Sequence, residues 1–202
     1  MYFFTHLFIS RKLYKHFLGE ISLDKRAFAY GNIKPDISKD NLHNNTHTLE
    51  NYLFYVNERA KQIIEKDNTI TDLSSHLGEI CHYVCDFFCY YHLNDEIYNR
   101  MFRHFLYELR LHYVTYVIYY SHKLKISSTR KEPRKNISSI ILEMRREYLS
   151  QPESYKRDID YALKTAIWTC ESILYYMKYP SVAIMEPELA IQTLLPVEGG
   201  RI

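Results

Sequence analysis

Apolar residues recur at three- and four-residue spacing along most of this chain, and the strict alternation of a half-buried strand is hardly visible. The spacing predicts a helix over residues 2–18, offering Phe3, Leu7, Leu13, Tyr14 and Phe17 to a core, and a shorter one over 23–31 that ends at Gly31. Gly31, Asn32, Pro35, Asp36 and Asn41 then give residues 31–41 the composition of an ordered loop, with Asp36 displayed on it. A helix opening at His47 runs to about Lys66, and Thr69 with Asp72 resembles a capping box for another that reaches about His92. Asn94 can cap a helix over 95–122. Two further helices are expected over 137–149 and 153–178, the second with Ser150 as N-cap, Pro152 early in the first turn and Glu153 closing the box.

Composition turns this pattern into a fold class. With only 5 Gly and 6 Pro among 202 residues, 47% of them hydrophobic, the chain reads as all-α: one multi-helix domain over residues 1–180 with a full core. Periodicity fades beyond Pro180, so residues 181–202 read as a C-terminal tail. Lys and Arg number 26 against 24 Asp and Glu, a formal charge of +2 that supplies no bulk field for a nucleic-acid backbone or an anionic membrane. The basic run from Lys123 to Lys135 lacks interleaved aromatics and reads as a solvated connection. The N-terminus is apolar but has no basic residues ahead of it and no small-residue cleavage site, so it reads as the first helix of a mature domain. No apolar stretch approaches the length of a bilayer span, and cytoplasmic residence is the default expectation. Cys81, Cys85 and Cys89 form a helical stripe that is neither a CxxC knuckle nor placed for a disulfide; with Cys170 they read as buried thiols.

Chemistry concentrates between residues 82 and 108. His82 and Asp86 are spaced i, i+4, as are His104 and Glu108, so each pair lies on one helix face and can reach a single ion. If the helix through Asp86 runs straight, His92 lies roughly 9 Å further along, too far for the first pair and better placed as a third ligand for the second. His6, Asp36 and His47 (or His43) add further imidazoles and a carboxylate upstream. His16, His76, His112 and His122 have no partner at ligand spacing and read as surface or core histidines. Tyr83, Tyr90, Tyr91 and Tyr107 flank the ligands, where core packing with a satisfied hydroxyl is the common fate and a lipid or base pocket the alternative.

Taken together, the run from Leu77 to Asp86, then His92, then Arg103 to Glu108 resembles the zinc-dependent phospholipase C family, related to the S1/P1-type nucleases. The family order H-Y-x-x-D, five residues, H, then H-x3-E is followed closely. Thr5-His6, Gly31 to Asp36 and His47-Thr48 match upstream parts. The resemblance implies a phospholipase C/P1 nuclease-type helical fold and two or three zinc ions. Asp36, His47, His82 and Asp86 would hold the first; His92, His104 and Glu108 the second, leaving an open position as a catalytic zinc requires; and His6 with Asp86 as bridge the third. It further implies in-line attack of a metal-activated water on phosphorus, with Asp36 orienting or deprotonating the water.

The chain also departs from the family. In secreted members the third zinc takes the amino group and carbonyl of the residue freed by signal removal. Here His6 lies close to Met1, and that position would be completed by water or by Met1 itself. Ile37 follows the loop aspartate in place of an aromatic that could cage a quaternary ammonium, so choline specificity is unsupported. The expected partner is a phospholipid or other phosphodiester, with peripheral membrane contact and without a strong nucleic-acid signal. The alternatives are a nuclease- or nucleotidase-type metallohydrolase and a non-catalytic intracellular helical metal-binding protein.

Overall fold

The computed structural model describes residues 1–38, 46–121, 132–134 and 136–179. Among them it is all-helical: α1 (Phe3–Phe17), α2 (Lys25–Gly31), α3 (Lys34–Ile37), α4 (Leu49–Glu65), α5 (Ile70–Asp86), a 3-10 turn (Tyr90–His92), α6 (Asp95–Tyr98), α7 (Met101–Tyr120), α8 (Ile137–Ser150) and α9 (Tyr155–Lys178). None of these helices is long and apolar enough to cross a membrane. His43, the basic run apart from Glu132 to Arg134, and the C-terminal tail lie outside the described residues.

α5 is the axis of the bundle. Its residues from Leu77 to Asp86 are buried without a gap, as expected of a helix that is covered all round. α2 packs closely along one side through two glycines: a Cβ on Gly31 would collide with the Ser75 carbonyl oxygen, and one on Gly78 with that of Phe28. This approach brings the turn after α2, and with it Asp36, up to the buried end of α5. α9 and α4 cover the opposite sides, α8 closes over both, and α1 lies between α2 and α7. Trp168, Tyr83, Tyr148, Phe87 and Phe88 fill the core. The Trp168 indole N–H is satisfied by the Glu132 carbonyl at 3.0 Å.

Four local expectations change. The stretch expected as loop contains α3, which carries Asp36 in its first turn behind Pro35. The third-last helix splits at Asn99 and Arg100 into α6, capped by the Asn94 side chain onto Ile97 N–H at 2.9 Å, and α7. The cap of α9 is Ser154, accepting from Arg157 N–H at 3.1 Å, while Ser150 is the last residue of α8. Most consequential, α5 ends at Asp86 and does not continue to His92. Cys89 N–H turns back to the Asp86 carbonyl at 2.9 Å, and the chain reverses through the 3-10 turn. The buried Arg145 guanidinium ties both ends of this reversal by donating to the carbonyls of Phe87 and, at 3.1 Å, Leu93.

Candidate metal centre

The reversal after Asp86 brings His92 back onto the end of α5, so its Nδ1 lies 3.6 Å from Asp86 Oδ2 despite the five intervening residues. The straight-helix estimate that separated them therefore does not apply. Around the wholly buried Asp86, His6 Nε2 approaches Oδ1 at 3.2 Å, while His47 Nδ1 and His82 Nε2 approach Oδ2 at 3.1 and 3.2 Å. Asp36 Oδ1 faces the same two imidazoles, 3.7 Å from His82 and 3.9 Å from His47. Beside this group, Glu108 Oε1 stands 2.9 Å from both His92 Nε2 and His104 Nε2, which are themselves 3.1 Å apart. The eight anticipated residues thus form one cluster with two lobes, and Asp86 lies between them.

Backbone carbonyls fix three of the rings. His82 Nδ1 faces the Asn32 carbonyl at 2.9 Å, His92 Nδ1 that of His47 at 3.1 Å, and His104 Nδ1 that of Tyr98 at 3.0 Å. A carbonyl oxygen can only accept, so each Nδ1 carries the proton and each Nε2 turns a lone pair inward. Local folding supplies these carbonyls: Asn32 closes α2 by donating its N–H to Phe28 O at 3.1 Å, and the α6 to α7 break frees Tyr98 O. Sequence reading missed Tyr98 and the role of Asn32, because a main-chain acceptor leaves no side-chain signature. Tyr98 also sets its ring edge-on against His92 and His104, with centroids 4.9 and 4.5 Å away.

The inward lone pairs meet carboxylate oxygens, and acceptors facing acceptors require a cation or added protons between them. His6 makes the same point. It is wholly buried and stacked 4.1 Å from His82, with neither ring nitrogen in hydrogen-bond geometry among the described residues. Burial lowers its pKa to about 4, so it stays neutral with a lone pair to give. The amino group of Met1 lies within the same cluster. It is paired with Asp86 and lies 3.1 Å from both Glu108 Oε1 and His92 Nε2. Burial works against this ammonium, but Asp86 and Glu108 outweigh it and hold its pKa well above that of an ordinary amino terminus. Asp86 itself would be raised by burial, yet His92, the Met1 ammonium, His6 and His82 hold it well below the usual carboxylate range. Imidazole nitrogens and carboxylate oxygens are a donor set that zinc accepts, and the residues fit it.

Aromatic rings pack around the cluster. Tyr83 is buried against Tyr52, with centroids 4.4 Å apart, and packs edge-on to His47 and His82. Tyr91 stacks on His104 at 5.4 Å, and Tyr107 turns its hydroxyl away to Asp158. Asp36 is the most exposed carboxylate of the cluster, at 23% of its side chain, and marks the way in. Cys81, Cys85, Cys89 and Cys170 are free and buried, and burial pushes Cys89 up, leaving it a thiol although it neighbours His92 and Glu108. Outside the cluster, His16 pairs with Glu171 at 3.1 Å and His112 with Thr5 at 3.2 Å.

An all-helical domain that gathers five imidazoles and two further carboxylates around a buried carboxylate has the makings of a multinuclear metal centre. Sequence comparison places it more narrowly: residues 5–155 match the family model described as zinc dependent phospholipase C, and the chain belongs to that family. No curated protein and no solved structure matches it.

Proposed function

We propose that this protein is a zinc-dependent phosphodiester hydrolase, and that its substrate is a phospholipid or a related phosphodiester. The observation that carries the reading is the division of Asp86: Oδ1 faces His6 and the Met1 amine, while Oδ2 faces His47 and His82, with His92 just beyond. A bridging carboxylate between neighbouring ions needs two oxygens presented in this way. His92, His104 and Glu108 would hold one ion, Asp36, His47, His82 and Asp86 a second, and His6 with Asp86 a third. Bound zinc supplies positive charge at the phosphoryl oxygens and acidifies water. The chain's own contribution is preorganisation, since the rings of His82, His92 and His104 are already held by main-chain carbonyls and need not reorient. Asp36, at the open edge with an oxygen within 4 Å of His47 and His82, is placed to accept a proton from an attacking water.

Metal analysis together with a substrate panel tests this. Purified protein should carry two or three zinc ions per chain, and His82→Ala and His104→Ala should each lose metal. Asp36→Asn should keep the fold and lower hydrolysis of a nitrophenyl phosphodiester by about a hundredfold or more. Protein that stays metal-free after purification with zinc, or a wild type as inert as Asp36→Asn on phospholipid, nucleotide and nitrophenyl substrates, would overturn the proposal.

A further inference from the structure

α7 is unusual in what it leaves uncovered. Its inner face, with His104, Leu111 and Thr115, is buried, whereas its outer face carries Phe102, Phe105, Leu109, Tyr113, Tyr116 and Tyr120, all exposed. Their spacing sets them on a single stripe along a 20-residue helix, a length of about 30 Å. Phe102 is 75% exposed and Tyr113 68%. Phe4 on α1 is exposed as well, and Phe8 joins the stripe with its ring 5.9 Å from that of Tyr116 and 6.2 Å from that of Tyr120. An apolar patch of this extent on a water-facing surface calls for an occupant.

The charges around the stripe indicate which one. α1 and α7 together carry Arg11, Lys12, Lys15, Arg103 and Arg110 against a single carboxylate, Glu108, and that carboxylate faces the metal centre. Arg11 sits 5.9 Å from the Phe8 ring and Lys12 5.0 Å from the Tyr119 ring, so cations border the aromatic surface directly. The chain as a whole is nearly neutral, so this local excess is selective. Two copies meeting face to face would bring like charges together, which disfavours self-association. A bilayer offers the complement: hydrocarbon for Phe102, Phe105 and Leu109, the headgroup zone for the tyrosines, and phosphates for the cations. α7 also carries His104 and Glu108, and Phe102 adjoins the α6 to α7 break beside Tyr98, so the stripe begins next to the metal centre.

We infer that the α7 stripe docks the protein on a phospholipid surface. The hydrolysis arm of its test rests on the phosphodiesterase reading. The test compares zinc-loaded full-chain wild type with Phe102→Asp and Tyr113→Asp. Each is sedimented with vesicles of phosphatidylcholine and phosphatidylserine, then assayed on those vesicles and on short-chain phosphatidylcholine dispersed as monomers. Wild type should sediment, and each variant should lose about tenfold or more in vesicle binding and vesicle hydrolysis, with zinc content and monomer hydrolysis unchanged. The inference is overturned if wild type stays in the supernatant, or if the variants bind and hydrolyse vesicles as wild type does. Monomer hydrolysis that persists in either case leaves the phosphodiesterase reading standing. Light scattering of wild type in that event separates occupation of the stripe by a second copy from coverage by residues 180–202. Loss of monomer hydrolysis by wild type itself strikes the reading instead, and sedimentation still decides the surface.

Discussion

Asp86 and Asp158 are both wholly buried carboxylates, and their surroundings differ in kind. Asp158 is met by donors: Tyr90 N–H at 2.9 Å and the Tyr107 hydroxyl at 2.8 Å on Oδ2, the Tyr148 hydroxyl at 2.9 Å on Oδ1, and Arg157 at 3.5 Å. Asp86 is met by four imidazoles and an ammonium, and the nearest rings turn lone pairs toward a shared centre. Burial raises the Asp158 carboxyl in spite of its donors, while the imidazoles and the amino group around Asp86 draw that carboxyl down against the same burial. Around Asp158 the three donors and the single guanidinium of Arg157 do not offset the lost solvation of the charge, whereas the groups around Asp86 do. Asp158 is thus held by donors on both oxygens, whereas Asp86 sits among imidazole nitrogens that could hold a metal ion.

Metal removal should separate the two most sharply. If zinc is present at about a thousand times its Kd, binding stabilises by about 4 kcal/mol, so a chelator should lower the wild-type Tm by about 10 °C. Asp86→Ala should show that loss already in the presence of zinc and little more on chelation. Calorimetry with and without chelator reads this directly; equal chelator shifts in wild type and Asp86→Ala would end the distinction.

Asp158→Ala should behave in the opposite way. It strips the acceptor from two tyrosine hydroxyls, a main-chain N–H and a buried guanidinium, at a cost of about 3 kcal/mol or more. The loss should be the same with zinc and in chelator, whereas that of Asp86→Ala depends on zinc. Denaturant titration of Asp158→Ala in both conditions checks this.

The candidate metal centre was more legible in the sequence than the Asp158 network, for a physical reason. His82 with Asp86 and His104 with Glu108 declare themselves because helical spacing alone puts each pair on one face. Asp158 takes its partners from residues 90, 107, 148 and 157, which no local pattern joins. The end of α5 was hidden too. Residues 87–91 contain no Gly or Pro and continue the apolar spacing, and the break is held by Arg145 from a distant helix. The split between α6 and α7 was equally silent, since Asn99 and Arg100 are compatible with a helix. The caps at Thr69 and Asn94 were readable because their side chains act within three residues.

Acidity offers a smaller test on the Asp158 side. Its folded pKa is raised above its unfolded value, so the stability it contributes is fully present below the unfolded value near ~4 and is lost as pH rises through the folded value. Asp158→Asn does not titrate. The stability gap between wild type and Asp158→Asn, measured in chelator, should therefore widen as pH falls from neutral toward 4. A gap that narrows over that range would mean that the donors prevail over burial.

The smallest effect is expected from Tyr148→Phe. The hydroxyl donates to Asp158 Oδ1 and accepts from Arg157 Nη2, each at 2.9 Å, while the ring lies 4.0 Å from the guanidinium carbon. Phenylalanine keeps the ring and its contact with Arg157, and Arg157 retains the Gln151 carbonyl at 2.9 Å. Asp158 retains both donors on Oδ2. One hydrogen-bonded hydroxyl is lost, so the cost should be about 1 kcal/mol, the same with zinc and with chelator. Zinc content should be unchanged, because the Tyr90 N–H bond that steadies the approach to His92 is untouched. If Tyr148→Phe instead sheds metal, Asp158 reaches the centre through the 3-10 turn, and the two carboxylates form one cooperative unit.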